Sequence, residues 1–380
     1  MFWPPAEQMA TIGIDATYAV DSRPSGVAVY SRHLVEALAT LECSHRFLIC
    51  YRLSRFRQRH DFLRPASVAR AGSPTFSVRF FQEPLTFWLP WQAEVFHSLA
   101  QRPPAFHFRK EIVTVHDVFP LTGRDYSTPE FQQKFSDLLL EAVERAARVI
   151  TPSQYTADQL VQHGGASREK LRVIPEGVDL PARGMASAER GQERERWVGQ
   201  GNEMLLNVGV LQTRKNILNA LRALQILPAR YRLVLAGGNG HGAEAIYEFI
   251  RAERLEARVT LLGHIAPHQL AALYQAASVL LFPSLEEGFG LPVLEAMANG
   301  LPVVASRSSS LPEVGGDAAL YVDPHSPQDI AEKVALVVED ADLRRRLVER
   351  GLARAREFSW RRTAEATLQV YDEVLAIRGP

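Results

Sequence analysis

Short apolar runs alternate with longer amphipathic stretches along most of the chain. In the first half, TIGIDA (11–16), FLICY (47–51), VRFF (78–81), EVFHSL (94–99), EIVTVH (111–116), RVITPS (148–153) and KLRVIP (170–175) have the length and composition of strands. Helical spacing fills the gaps, most clearly over 28–41 and 129–147. The second half resumes the rhythm with MLLNVGV (204–210), RLVLAGG (232–238), RVTLLGH (258–264), SVLLFPS (278–284), LPVVAS (301–306) and ALYVD (319–323). Strand and helix alternating in this way predict an α/β fold of two doubly wound domains. A polar stretch rich in Arg and Glu, 182–203, breaks the rhythm and marks the boundary. The expected organisation is a first domain over 1–181, a linker region over 182–203, a second domain over 204–358 and a final segment, 359–380, with helical spacing over 360–377.

Length and charge narrow the function classes. At 380 residues the chain can hold two domains, each with its own core. Lys plus Arg and Asp plus Glu balance at 43 each, so no global field recruits nucleic acid. Cys43 and Cys50 lie near or within an apolar strand pattern and read as reduced core residues of a cytoplasmic protein. The opening MFWPPAEQMA lacks the basic and apolar regions of a secretory signal. No uncharged apolar run approaches the length of a membrane span.

Chemistry concentrates in the second half. In PSLEEGFGLPVLEAMANG (283–300), a buried strand is stopped by Pro283 and Ser284, and Gly288-Phe289-Gly290 leads to Pro292, suited to a first helical position. Val293, Leu294, Met297 and Ala298 keep helical spacing, and Gly300 ends the helix. Glu287 is therefore placed in a loop at the carboxyl end of a strand, and Glu295 in the first turn of the next helix. Open parallel sheets bind ligands at such ends. In NVGVLQTRKN (207–216) a strand ends at Gly209, and Arg214-Lys215-Asn216 open a helix where adjacent cations suit a diphosphate. A solvated Arg–Lys pair is the alternative. AGGNGHG (236–242) resembles a dinucleotide fingerprint around Gly237, but no acidic residue follows at the expected strand end, and a tight close-approach turn explains it as well. LLGHI (261–265) places His264 and Ile265 where backbone groups could meet a base, or in an ordinary turn.

Together these stretches resemble the retaining glycosyltransferases of family four. P-S-x-x-E-G-F-G-L-P-x-x-E-A-M-A-x-G-x-P-V-V-A-S reproduces the paired-glutamate signature with Glu287 and Glu295. R-K-N-x-x-x-A-L upstream and SLPEVGGDAAL (310–320) downstream agree in order. TVHDVFP (114–120), ITPSQYT (150–156) and VIPEGVD (173–179) fit more loosely. The resemblance implies the GT-B fold: two Rossmann-like domains facing across a cleft, the second holding a nucleotide sugar, with the C-terminal helix crossing back to the first. It implies further that Arg214 and Lys215 hold the donor diphosphate and stabilise the departing charge, and that Glu295 takes both ribose hydroxyls. The N–H groups of Phe289, Gly290 and Leu291 would bind phosphate or sugar oxygens. Glu287, beside Gly288, would lie along the donor ring, and His116 would reach the sugar from the first domain, with Asp117 orienting the loop. Glu287, His116 and Lys215 are thus the catalytic candidates. The family's first loop often carries paired glycines; this chain has only Gly26 in RPSGVAVY (23–30). Many relatives place an arginine shortly before the phosphate lysine, where this chain has Gly209, Val210 and Leu211, so phosphate holding falls to Arg214, Lys215 and backbone donors. Glu176 stands where relatives often have Asn, a change the sequence leaves unexplained.

The activity implied is transfer of a hexose from a nucleotide-diphosphate sugar, GDP-mannose before UDP-glucose, with retention and by front-face attack. No cofactor and no metal are expected, since the cation pair can replace one and no Asp-x-Asp motif lies where the metal-using fold would carry it. An epimerase or hydrolase of the same architecture and a non-catalytic nucleotide-sugar-binding protein are the alternatives. A phosphorylase would need a late lysine, and only Lys333 follows Lys215. The acceptor is expected to be a glycan or a polyprenyl-linked glycan. YRLSRFRQRHDFLR (51–64), basic with interleaved aromatics, and FFQEPLTFWLPW (80–91), crowded with rings, suit sugar stacking or peripheral contact with an anionic membrane. A solvated basic loop and core aromatics are the plain alternative.

Overall fold

The structure, a computed structural model, describes residues 9–21, 25–61, 74–123, 125–181 and 184–377. The first eight residues, Arg23 and Pro24 of the 23–30 loop, 62–64 of the basic run and Ala182-Arg183 lie outside the described residues, as do the side chains of 59–61.

Every apolar run read as a strand contains one. The first half holds β1 (Thr11–Asp15), β2 (Arg46–Arg52), β3 (Thr75–Phe81), β4 (Val95–Ser98), β5 (Glu111–Thr114), β6 (Arg148–Thr151) and β7 (Leu171–Val173). The second holds β8 (Glu203–Val208), β9 (Tyr231–Ala236), β10 (Val259–Gly263), β11 (Val279–Phe282), β12 (Val303–Ser306) and β13 (Ala319–Val322). The first sheet has the order β3-β2-β1-β4-β5-β6-β7, the second β10-β9-β8-β11-β12-β13, and the pairings are parallel. Helices on both faces bury the strands, which is why β4, β11 and β12 are apolar or inaccessible at every position and show no alternation. In each sheet the chain starts at the centre, winds outward, then returns to wind the other way. The reversal falls between β1 and β4 in the first sheet and between β8 and β11 in the second.

Local chemistry sets the helix limits. Ser25 caps Gly26–Leu38 by accepting from the Ala28 N–H at 3.3 Å, and Ser326 caps Pro327–Glu339 in the same way through Asp329. Leu34, Val35 and Leu38 form the buried stripe of the first of these helices, and Ile330, Val334 and Val337 that of the second. Each such side chain contributes about 1.5–3 kcal/mol relative to leaving it in water.

By contact the chain divides into two compact units, one of Met1–Val118, Gln133–Gly177 and Ser359–Pro380, the other of Phe119–Gln132 and Val178–Phe358. The last helix, Trp360–Ala376, therefore packs within the first unit. Trp360 stacks on His33 with centroids 5.0 Å apart, the Tyr371 hydroxyl meets His97 Nδ1 at 2.8 Å, and Thr363 donates to the Pro175 carbonyl at 2.8 Å. Gly177 permits this crossing, since a Cβ there would lie 2.2 Å from the Trp360 nitrogen. One element differs from the sequence expectation. Within the 182–203 stretch, Ser187–Val198 is a helix. Its Arg- and Glu-rich sequence favours helix, but none of its residues is buried, so no apolar stripe marks it. Arg194 ties it to the second unit by donating to the Ala276 carbonyl at 2.8 Å.

Candidate active site

The second unit places its charged residues at the reversal point of its sheet. After β8 the chain passes Gly209, turns through Thr213–Lys215, and enters the helix Ile217–Ile226 by way of Asn216 in the left-handed region (φ 57). Asn216 holds that turn by donating to the carbonyls of Pro283 (3.0 Å) and Pro324 (2.7 Å). Gly209, at φ 139, lets the Lys215 stem cross the strand end; a Cβ would stand 3.3 Å from Lys215 Cε. The cations are not solvated: Arg214 and Lys215 are 7% and 8% exposed. After β11, Glu287 is equally buried at 6%. Arg214 Nη1 donates to Glu287 Oε2 at 2.9 Å, and Lys215 Nζ to Oε1 at 2.6 Å. Burial alone would raise the Glu287 carboxyl; the charges of Lys215 and Arg214 outweigh it and hold the group down at about 2. The loop position expected for Glu287 is correct, but it is an enclosed loop whose carboxylate is bound from two sides.

The same unit contributes Phe119–Thr122, a short helix. The Arg214 guanidinium lies 5.2 Å from the Phe119 ring centroid and donates to the Glu286 carbonyl. The Thr122 hydroxyl reaches both carboxylate oxygens of Glu286, at 2.7 and 2.8 Å. Sequence reasoning singled out neither Glu286 nor Thr122; the sequence signal was only their place within PSLEEG and just beyond TVHDVFP.

Beyond Glu287, the loop through Gly288 turns into the helix Leu291–Ala298, and Gly300, at φ 69, follows its end. Gly290 has φ 111, and a Cβ on it would lie 2.6 Å from Leu311 Cδ2. Ser309 accepts from the Glu287 N–H at 3.0 Å, and the Ser310 hydroxyl lies 2.8 Å from the carbonyls of both Glu287 and Phe289. These serines fix the turn so that Phe289, Gly290 and Leu291 present the helix start. Glu295 stands half-buried one turn on, and Tyr274, from Pro267–Ala276, donates its hydroxyl to Glu295 Oε2 at 2.6 Å.

The glycine-rich stretch after β9 serves close approach. A Cβ on Gly237 would stand 1.8 Å from the Gly209 carbonyl oxygen. The Leu211 N–H donates to the Gly238 carbonyl at 2.8 Å and Gly240 N–H to the Leu211 carbonyl at 2.9 Å, so this loop is laced to the one carrying Arg214 and Lys215. His264, exposed after β10, packs its ring against Gly238, where a Cβ would be 2.5 Å from Nε2, and Ile265 is half-buried beside it.

In the first unit the groups at the strand ends are arranged differently. Gly26 begins the helix after β1, and among the described residues a Cβ there would meet no atom within 4 Å. His116, just beyond β5, is 8% exposed. Its Nδ1 lies 3.0 Å from Glu176 Oε1 and its Nε2 2.9 Å from the Leu99 carbonyl oxygen. Tyr30 packs edge-on against the ring at 4.7 Å. Glu176, 4% exposed, thereby gains the partner that the sequence left unnamed. Asp117 follows in the same loop, half-buried.

Away from these groups, the aromatic stretch is turned outward: Phe87 is 63% and Trp91 79% exposed, with Leu85, Trp88 and Phe80 also on the surface. Phe56, from Leu53–Asp61, meets Phe80 edge-on at 5.5 Å. Arg57 is exposed beside it, and Arg55 pairs with Asp21 at 3.2 Å. Among the described residues no helix is long and apolar enough to cross a membrane.

Two parallel α/β sheets, the second gathering buried cations and a carboxylate where its strand order reverses, define the GT-B class of glycosyltransferases. The Anabaena protein HepE, solved in complex with UDP and glucose, superposes with a TM-score of 0.74 over 96% of this chain and 100% of that one, at 18% identity. Residues 24–181 match the model of Glycosyltransferase Family 4, and 189–354 that of Glycosyl transferases group 1. The O-antigen chain mannosyltransferase B of Escherichia coli is 30% identical over 291 residues, 74% of this chain and 76% of the relative. The serotype-specific mannosyltransferase WbdA of Escherichia coli is also 30% identical over 70% of this chain, which spans only about a third (34%) of that relative. The chain belongs to glycosyltransferase family 4, and it is a glycosyltransferase.

Proposed function

We propose that the protein is a retaining hexosyltransferase that moves mannose from GDP-mannose to a glycan or polyprenyl-linked glycan, without a metal ion. The observation that carries this reading is the buried cluster of Arg214, Lys215 and Glu287 at the ends of β8 and β11. A donor diphosphate needs fixed positive charge in a site screened from water, and this is where a doubly wound sheet presents its ligands. Arg214 and Lys215 are assigned the diphosphate, Glu295 the ribose, and the N–H groups of Phe289 to Leu291 the phosphate or sugar oxygens. Glu287 is assigned the donor ring as well as the cations. In the transfer, the bond between the anomeric carbon and the phosphate oxygen breaks as the acceptor hydroxyl oxygen bonds to the same face of that carbon. The hydroxyl proton passes to the departing phosphate oxygen, so charge and atoms balance without a protein base. The mannosyltransferase relatives favour mannose over glucose as the sugar.

Titration calorimetry with GDP-mannose, GDP, UDP-glucose and UDP, with and without EDTA, tests the donor, and NMR of the product anomeric centre tests retention. Tighter binding of GDP-mannose, transfer that survives chelator, and retained configuration are expected. Preference for UDP-glucose, an inverted product, or loss with EDTA that Mg²⁺ or Mn²⁺ restores would each overturn the corresponding part. We further propose that the exposed aromatics and Arg57 bring a lipid-linked acceptor within reach at an anionic membrane, since interfacial rings and basic side chains suit that surface. Sedimentation with phosphatidylglycerol vesicles at low salt, released by added salt, is the expected behaviour. No binding even at low salt would favour an acceptor free in water.

A further inference from the structure

His116 is enclosed by groups whose hydrogen-bonding roles fix its protons. The Leu99 carbonyl oxygen can only accept, so Nε2, 2.9 Å away, must carry a proton. Nδ1 faces the carboxylate of Glu176 at 3.0 Å. A neutral ring would then turn a lone pair toward that carboxylate, two acceptors against each other. A ring protonated on both nitrogens satisfies both contacts. The remaining surroundings agree. Tyr30, from the helix Gly26–Leu38, stands perpendicular to the ring at 4.7 Å and carries no charge, with its hydroxyl 3.2 Å from Thr114 Oγ1. His97, from β4, has its two nitrogens on the Tyr371 and Thr114 hydroxyls, each at 2.8 Å; burial first, then the charge of His116, pull it down to about 3, so it stays neutral. Asp117 adds a second negative group on the loop of His116 itself. Burial would pull the His116 ring down, yet Glu176, the Leu99 carbonyl and Asp117 together hold it above its ordinary value.

We infer that Glu176 is a positioning residue which, with the Leu99 carbonyl, holds His116 as an imidazolium with both N–H directions committed inside the first unit. The ring then has no lone pair with which to take a proton from an acceptor hydroxyl. His116 serves as a fixed charge and a wall, and the acceptor proton is left to the departing phosphate oxygen. The mechanistic half rests on the proposed transfer; the protonation half does not, and the test separates them.

Nitrogen NMR of the full chain with labelled histidine, His116 assigned by its loss in His116→Gln, reads the ring directly. Across the ordinary histidine range both His116 nitrogens should be protonated, with any titration lying above that window. In Glu176→Gln the carboxylate charge is gone, and a titration should enter the window. The kcat/KM of Glu176→Gln, taken as a ratio to wild type, should fall about tenfold or more from pH 6 to 8.5. A neutral single tautomer in the wild-type protein at about pH 7, or a His116 titration that Glu176→Gln does not move, overturns the inference. Should the glutamine variant not fold, Glu176→Asn, a smaller neutral amide, replaces it, and the wild-type spectrum still decides the protonation. If the ring behaves as stated while no donor supports transfer, the proposed function fails and the positioning role stands.

Discussion

The ends of the two sheets use the same topology for different electrostatics. In the second unit, Arg214, Lys215 and Glu287 form a charged cluster with one more cation than anion, tied together across the β8–β11 reversal. In the first, His116 and Glu176 form a closed pair walled by Tyr30 and linked through Thr114 to a neutral His97. Doubly wound sheets present ligands at these positions whatever their sequence; the side chains decide which ligands. The unit that gathers two buried cations at its strand ends suits phosphates. The other closes His116 and Glu176 on each other and offers shape and an orienting surface.

That contrast can be broken most sharply at Glu287. Glu287→Gln leaves two buried cations facing each other without a counter-charge, and should destabilise the fold by about 3–5 kcal/mol in denaturant unfolding. The burial of this carboxylate overturns the expectation, natural for a loop residue, that its loss leaves melting untouched. Turnover should fall roughly 10²–10³-fold as well. The pH dependence has a definite sign. The folded-state value, about 2, lies below the unfolded value of about 4.3, so the stabilisation is complete above pH ~5 and drains away as pH falls toward 2. Glu287→Gln should lose that acid sensitivity; an unchanged acid limb would mean that the cluster is not held by charge.

Lys215→Ala comes next. It should weaken nucleoside diphosphate binding by about 1.5–3 kcal/mol while leaving the bare nucleoside alone. Equal losses for the two, measured by calorimetry, would make Lys215 structural and dissolve the electrostatic distinction between the units. A smaller effect is expected at Tyr274. Without its hydroxyl the Glu295 carboxylate loses a 2.6 Å donor, and Tyr274→Phe should raise the donor KM about fivefold, about 1 kcal/mol, with kcat unchanged. A kcat effect instead would place Glu295 on the reacting sugar. The smallest change in stability, within about 0.5 kcal/mol, is expected for Gly26→Ala, because the added methyl meets no atom of the described residues within 4 Å. A loss of activity in that well-folded variant would show substrate passing over the helix start, the kind of role assigned to the first unit; unchanged kinetics would remove Gly26 from the site.

The strands, their parallel winding and the helix Leu291–Ala298 were legible because each depends on local signals: an apolar run, Pro292 inside the start, Gly300 past the end. The helix Ser187–Val198 was hidden because it has no buried face to give a period. Within the site, Arg214, Lys215 and Glu287 could be named from their motifs, but their mutual binding could not, since residues 72 and 73 positions apart meet only once the sheet is wound. Tyr274 and Ser310 were missed for the same reason. Glu176 looked anomalous in sequence because its meaning is a partner 60 positions away. The glycines of 236–242, ambiguous between phosphate binding and tight packing, have a physical explanation in what each must clear: Gly237 the Gly209 carbonyl, Gly238 the His264 ring, Gly240 the Val210 side chain and Gly242 the Thr213 hydroxyl.

The return of Trp360–Ala376 to the first unit has a consequence for how the molecule is made. A ribosome delivers the seven strands of the first sheet early, yet Trp360 under His33, Tyr371 against His97 and Glu373 between Arg148 and Arg172 arrive far later. The stretch Val178–Phe358 is complete before them. In vectorial synthesis, where earlier segments ordinarily settle first, this order is inverted: the first-born unit must wait with an uncovered face while the later one closes. Its nascent form is the stage at which chaperones would find the most to hold.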